Sequence, residues 1–308
     1  MLNRSNPYYR QVELVVRVLP LVAREPRFAL KGGTAINLFV RDLPRLSVDI
    51  DLTYLPLDNR DSALTAIEDG LNGIADNIQR VFPDVSVDAA PGEGNRIQRL
   101  LISASSISIK VEVSPVLRGS VLDAREIPAM DSVADQFGYI ETHVLSLEEL
   151  YAGKLVAALD RQHPRDLFDV MILLENEGIT PDLMELFIVY LVSSNRPIAE
   201  LLAPRLQLLE PVFEQQFQGM SLQTVTVKQL EEVRITMLEI IRNQLTDDHK
   251  HFLLSLKSGV PNWDLLKHTH AQNLPAVRWK LQNIQRLTPE QREEALSQLR
   301  KTLEERPK

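Results

Sequence analysis

Cysteine is absent from all 308 residues. Disulfides, thiolate metal sites and cysteine nucleophiles are therefore excluded together, and the chain suits a reducing cytoplasm. Long apolar runs are lacking too. The longest, Leu186-Phe-Ile-Val-Tyr-Leu-Val192, is seven residues, far short of the ~18 that a membrane span needs, and it reads as the inside of a helix. Met1 to Arg10 holds no apolar stretch before a small-residue cleavage site, so a soluble, cytoplasmic protein with no membrane partner is expected. Positive charge is in the minority, with 34 Lys+Arg against 42 Asp+Glu and a net charge of -8. Indiscriminate attraction to nucleic acid or anionic lipid is thereby excluded, although a local basic surface is not. Aromatic residues make up only 6%. The two tryptophans, Trp263 and Trp279, read as core anchors rather than base-stacking platforms.

What remains is an ordinary globular composition, 44% hydrophobic and 25% charged, and a length that suits about two domains. Residues 8–24 carry apolar positions at helical spacing, with Pro20 expected to kink or split the helix. Gly32-Gly33 is followed by a short helical stretch, Thr34 to Val40. Ser47 to Leu55 alternates with period two, as a strand does. Residues 62–82 form an amphipathic helix, with Leu64, Ile67, Leu71, Ile74 and Ile78 on one side. The runs 85–89, 97–104 and 107–113, parted by turn signals at 91–95 and 105–106, read as an antiparallel meander. Beyond about residue 140 strand signals stop. Ser146-Leu-Glu-Glu149 and Thr288-Pro-Glu-Gln291 have capping-box form, and 183–194, 198–218 and 227–245 read as helices. The fold class is α+β, with a mixed sheet-and-helix domain over 1–142 and a helical domain over 143–308.

Chemistry concentrates in the first domain. Alternation lets Val48, Ile50 and Leu52 face the core while Asp49 and Asp51 project together, about 6–7 Å apart at their α carbons. Such a pair of like charges calls for a cation. In Ser108-Ile-Lys-Val-Glu-Val113 the same arithmetic sets Lys110 and Glu112 apart from the apolar face. Were the two strands neighbours, Asp49, Asp51 and Glu112 would form a carboxylate cluster suited to Mg²⁺. A lone Asp-x-Asp is more often a solvated strand face. Here Gly32-Gly33-Thr34 precedes it by fifteen residues, a turn whose missing side chains let a phosphate approach the backbone. Lys31, Arg41 and Arg45 flank the acidic strand and either contact phosphates or balance Asp42, Asp49 and Asp51. Ser47 is a weaker candidate. In the helix at 147–161, Lys154 falls in the middle of the apolar arc, so it must meet a carboxylate such as Asp166 or Asp169, or else a phosphate.

The combination of a G-[GS]-[ST] turn with an h-D-h-[DE]-h strand resembles the polymerase-beta-type nucleotidyltransferase signature. Leu30-Lys-Gly-Gly-Thr-Ala35 with Arg45-Leu-Ser-Val-Asp-Ile-Asp-Leu52 is similar to the AbiEii/AbiGii nucleotidyltransferase toxins of type IV toxin–antitoxin and abortive-infection systems. Lys154 with Arg165-Asp-Leu-Phe-Asp169 resembles the family's later K…RD…D motif, and 252–263 and 274–283 resemble its C-terminal helical region. Glu112 departs from the pattern, since the family more often has Asp there. The resemblance implies a polymerase-beta-like domain with a small mixed sheet, followed by helices that complete a nucleotide pocket and the acceptor surface.

It also implies transfer of a nucleoside monophosphate from an NTP to an acceptor, with tRNA 3′ ends the family's choice and a cognate antitoxin as partner. Asp49, Asp51 and Glu112 would hold Mg²⁺. Lys31, Gly32, Gly33, Thr34, Arg45, Ser47, Lys154, Arg165 and Asp166 would bind the nucleotide, and Lys154 with the three carboxylates would be catalytic. Two alternatives stand beside this reading: transfer to a small-molecule hydroxyl, and a non-catalytic binding protein on a degenerate transferase fold. Charge is also graded along the chain. Residues 265–308 carry nine Lys+Arg and five Asp+Glu, a net of +4 that leaves -12 for the rest.

Overall fold

The computed structural model describes residues 6–92 and 95–304. The chain forms two compact units, one of residues 1–150 with 218–224, the other of residues 151–217 with 225–308. The sequence places the break at 142/143. In the structure it falls within a helix, and seven later residues return to the first unit.

The first unit contains helix α1 (Pro7–Val22), strand β1 (Phe28–Lys31), a short helix α2 (Gly32–Ala35) that runs on as a π-helical turn (Ile36–Val40), and strand β2 (Ile50–Tyr54). There follow α3 (Arg60–Val81), β3 (Val85–Pro91), β4 (Ile97–Ala104), β5 (Ile107–Val113), β6 (Arg125–Pro128), α4 (Asp131–Phe137), β7 (Glu141–Val144) and the start of α5 (Leu147–Arg161). The strands form one mixed seven-stranded sheet in the order β3-β4-β5-β2-β1-β7-β6. The meander β3-β4-β5 is antiparallel, whereas β2 pairs with β5, and β1 with β7, in parallel. Helices α1 and α3 pack on this sheet, burying Val12, Val15, Val18 and Leu19 from one and Ile67, Leu71, Ile74 and Ile78 from the other.

Two details depart from the sequence reading. Pro20 does not split α1, because it lies in the last turn, where the Ala23 N–H still reaches the Leu19 carbonyl at 2.8 Å. Strands β6 and β7 escape the reading because each is four residues long, too short for a period to show. At the start of α5 the Glu149 N–H donates to the Ser146 hydroxyl at 3.2 Å, and the Glu149 carboxylate accepts from the N–H groups of Val121 at 2.8 Å and Leu122 at 3.2 Å. Residues 93 and 94 of the expected 91–95 turn lie outside the described residues. The returning segment is tied on by an antiparallel bridge between Arg45 and Ser221 and by the Leu46 N–H on the Met220 carbonyl, 2.8 Å.

The second unit is helical: the rest of α5, then α6 (Pro164–Glu175), α7 (Pro181–Ser193), α8 (Ile198–Leu202), α9 (Glu210–Gln216), α10 (Val227–Gln244), α11 (Asp247–Ser258), α12 (Pro275–Gln285) and α13 (Pro289–Glu304). The stretch expected as one helix over 198–218 is broken between Ala203 and Leu209, around Pro204. The apolar run at 186–192 lies buried in α7. At α13 the expected capping box is complete, with the Gln291 N–H on the Thr288 hydroxyl at 3.2 Å and the Thr288 N–H on the Gln291 side chain at 3.0 Å. Among the described residues no helix is long and apolar enough to cross a membrane.

Candidate active site

The parallel pairing of β2 and β5 makes the decisive juxtaposition, since it sets Asp51 opposite Glu112. On its other side Asp51 stands opposite Lys31 of β1. The result is three adjacent strands with an acid, an acid and a lysine abreast. Burial pushes the Lys31 ammonium below its ordinary range, and the Asp51 and Glu112 carboxylates oppose that shift, as expected of a cation held beside two anions. Asp49 lies one residue before β2 and so outside the regular strand. It and Asp51 are half-buried between buried Val48, Ile50 and Leu52.

The Gly-Gly-Thr turn is built against this acidic strand. Gly32 has φ +71°, and a β carbon there would meet Asp51 Oδ2 at 2.6 Å. Both the backbone conformation and the closeness of the carboxylate require glycine. A β carbon on Gly33 would meet Arg45 Nη2 at 2.6 Å and the Ser47 hydroxyl at 2.9 Å. The buried Thr34 hydroxyl donates to the Asp49 carbonyl and lies 3.1 Å from the Ser47 hydroxyl. Asn37 donates back to the Gly33 carbonyl at 2.8 Å. Thr34 and Ser47 are thus clamps that hold the turn on the strand. Arg45, only 2% exposed, sends Nη1 to the Leu46 carbonyl at 3.1 Å. It braces the turn from within, and Arg41 stays half-exposed at its rim.

Glu112 has a partner that the sequence reading missed. Arg99 of β4 is its register partner, with Nε 3.1 Å from a carboxylate oxygen. The Glu112 contact, then the Asp49 charge, raise the Arg99 guanidinium pKa. A usable signal existed. The Ser105-Ser106 turn joins Ala104 to Ile107, and counting outward from those two residues pairs 99 with 112. Among the described residues no group of three or more His, Cys, Asp or Glu side chains is arranged to hold a metal ion. The all-oxygen donors of Asp49 and Asp51 suit a hard cation. Glu112, engaged by Arg99, is not gathered with them into a three-carboxylate centre.

A second cluster lies within the helical unit. Lys154, 6% exposed, places its ammonium 2.8 Å from Asp166 and 3.0 Å from Asp169. Arg161 adds Nε and Nη2 to Asp166 at 2.5 and 2.9 Å. Burial works to raise the Asp166 carboxyl, but Lys154 and Arg161 outweigh it and hold it well below the usual carboxylate range. Asp166 is therefore saturated by cations and acts by positioning Lys154. Arg165 is half-buried on the next turn, where its N–H meets the His163 ring at 3.1 Å.

The profile of the family described as "Nucleotidyl transferase AbiEii toxin, Type IV TA system" matches residues 13–283. The chain belongs to the AbiEii family. It is accordingly a nucleotidyltransferase toxin of a type IV toxin–antitoxin system, and the family implies a cognate antitoxin. Among solved structures, the AbiEii chain is similar to MenT4, a nucleotidyltransferase toxin (Rv2826c) of Mycobacterium tuberculosis H37Rv. The TM-score is 0.61 over 95% of this chain and 93% of that one, at 15% identity, so the likeness is one of fold. A comparison with curated proteins finds no match.

Proposed function

We propose that this toxin transfers a nucleoside monophosphate from an NTP to the 3′ hydroxyl of tRNA. The observation that carries the reading is the register of Lys31, Asp51 and Glu112 across β1, β2 and β5, with the Gly32 backbone pressed on Asp51. In this reading Asp49 and Asp51 hold Mg²⁺, with Glu112 as an outer third carboxylate. The ion supplies charge neutralisation at the phosphates.

The chain's own groups do the rest. The Gly32-Gly33 backbone admits the triphosphate closely, and Thr34 with Ser47 keeps that backbone fixed on the acidic strand. Lys31 offers positive charge beside the reacting phosphoryl group. Within the helical unit, Lys154 spends two of its three N–H donors on Asp166 and Asp169. The acceptor oxygen forms its bond to the α-phosphorus as the bond to pyrophosphate breaks, and the hydroxyl proton passes to Glu112 or to water.

The test incubates the purified protein with Mg²⁺, each labelled NTP in turn, and total RNA. Label is expected in the tRNA band, and Asp49→Ala or Asp51→Ala should remove it. Full incorporation by Asp49→Ala, or label found in small hydroxyl compounds and not in RNA, overturns the proposal.

A further inference from the structure

Trp279 does not anchor a core. It is 43% exposed, whereas Trp263 packs on Phe252 with ring centroids 4.9 Å apart. The setting of Trp279 is unusual for a surface tryptophan in an acidic protein. From Leu265 to Pro289 the chain has no Asp or Glu, but it has Lys267, Arg278, Lys280 and Arg286.

Helix α12 divides this stretch cleanly. Ala276, Val277 and Ile284 are buried. Lys280 turns inward, donating to the Ser194 and Arg196 carbonyls at 2.6 Å each, and burial with Lys257 nearby lowers its pKa to about 8. The opposite arc is exposed: Arg278, Trp279, Gln282, Asn283, Gln285 and, one residue past the helix, Arg286. At 100° per residue these six share one contiguous face. Arg286 lies over the Trp279 ring, 5.7 Å from its centroid, and Arg278 reaches Asn273 at 2.9 Å. Among the described residues neither guanidinium is engaged by a carboxylate.

From this face we infer that α12 is a docking surface for single-stranded RNA. Two arginines supply phosphate contacts, the flat indole supplies a stacking platform that accepts any base, and the three amides offer donors and acceptors to base edges. Charge complementarity argues for a polyanion. A protein partner of ordinary affinity would call for a broader apolar patch than one indole among amides. The inference deepens the RNA-acceptor reading above, and rests on it for the identity of the acceptor. It can nevertheless be measured without NTP or Mg²⁺, so that failure of transfer and failure of docking are seen separately.

With only two tryptophans in the chain, Trp263→Phe leaves Trp279 as the sole indole reporter. Titration with a single-stranded RNA of about 12 nucleotides should quench its emission. In the wild-type background Trp279→Ala should weaken binding roughly tenfold, in line with loss of one stacked base. Arg278→Gln with Arg286→Gln should weaken it further at low salt and reduce the slope of log affinity against log salt by about 1.4, or about 0.7 for each phosphate no longer neutralised. Apart from Trp263→Phe, the variants alter exposed side chains, and unchanged urea midpoints will show that all of them fold. Absence of quenching, wild-type affinity in both the Trp279→Ala and the double arginine variant, or quenching by an acidic peptide and not by RNA would each overturn the inference.

Discussion

Replacing Lys154 by methionine separates the two burdens that this side chain carries. The substitution keeps length and volume but removes an ammonium lying 2.8 Å from Asp166 and 3.0 Å from Asp169, in a site where both carboxylates are at most 1% exposed. Asp166 keeps Arg161, and Asp169 loses the ammonium at 3.0 Å. Removing one member of a buried pair typically costs about 3–5 kcal/mol. At about 2–4 °C per kcal/mol for a cooperative unit of this size, the midpoint should fall by roughly 6–20 °C.

The pH dependence has a definite sign. Asp166 has a depressed folded pKa, so its contribution is fully present above the unfolded value near pH 4 and is lost as pH falls through the folded one. The gap between wild type and Lys154→Met should therefore be widest at neutral pH and narrow below about pH 4. Thermal and urea unfolding from pH 7 to pH 3 measure this directly. A methionine variant as stable as wild type at neutral pH would refute the reasoning. So would one destabilised equally at every pH.

Two further substitutions probe the first unit. Gly32→Ala places a β carbon 2.6 Å from Asp51 Oδ2 at φ +71°. It should cost about 1–3 kcal/mol in backbone strain and displace a proposed metal ligand, so nucleotide transfer should drop together with the urea midpoint; an alanine variant of normal activity would show that the turn is not pressed on the site. Arg99→Ala breaks an ion pair whose side chains are 47% and 45% exposed. Stability should change by less than about 1 kcal/mol, while the freed Glu112 should lower the Mg²⁺ concentration needed for half activity. Loss of activity at saturating Mg²⁺ would instead assign Arg99 to the substrate.

The sequence by itself determined the parts that rest on local periodicity. The apolar spacing of α1, α3, α7 and α10, the alternation of β5 and the inward lysine of α5 were legible because a helix or strand dictates which face each residue takes, and β3, β4 and β5 were legible as apolar runs parted by turn signals. The Gly-Gly-Thr turn and the Asp49/Asp51 pair stood out only in combination, since alone the one reads as a turn and the other as a solvated strand face. Period two reveals a strand's faces but not its neighbours. Only the tertiary structure decided that β2 lies parallel to β5, abreast of β1, so that Lys31, Asp51 and Glu112 stand side by side. Long-range pairing decided, too, that residues 218–224 return to Arg45 and Leu46, and that strands as short as β6 and β7 complete the sheet. The same reason governs the two surprises in charge and exposure. Arg99 neutralises Glu112 because antiparallel registry places them opposite, and Trp279 faces outward because Ala276, Val277 and Ile284 claim the buried side of α12.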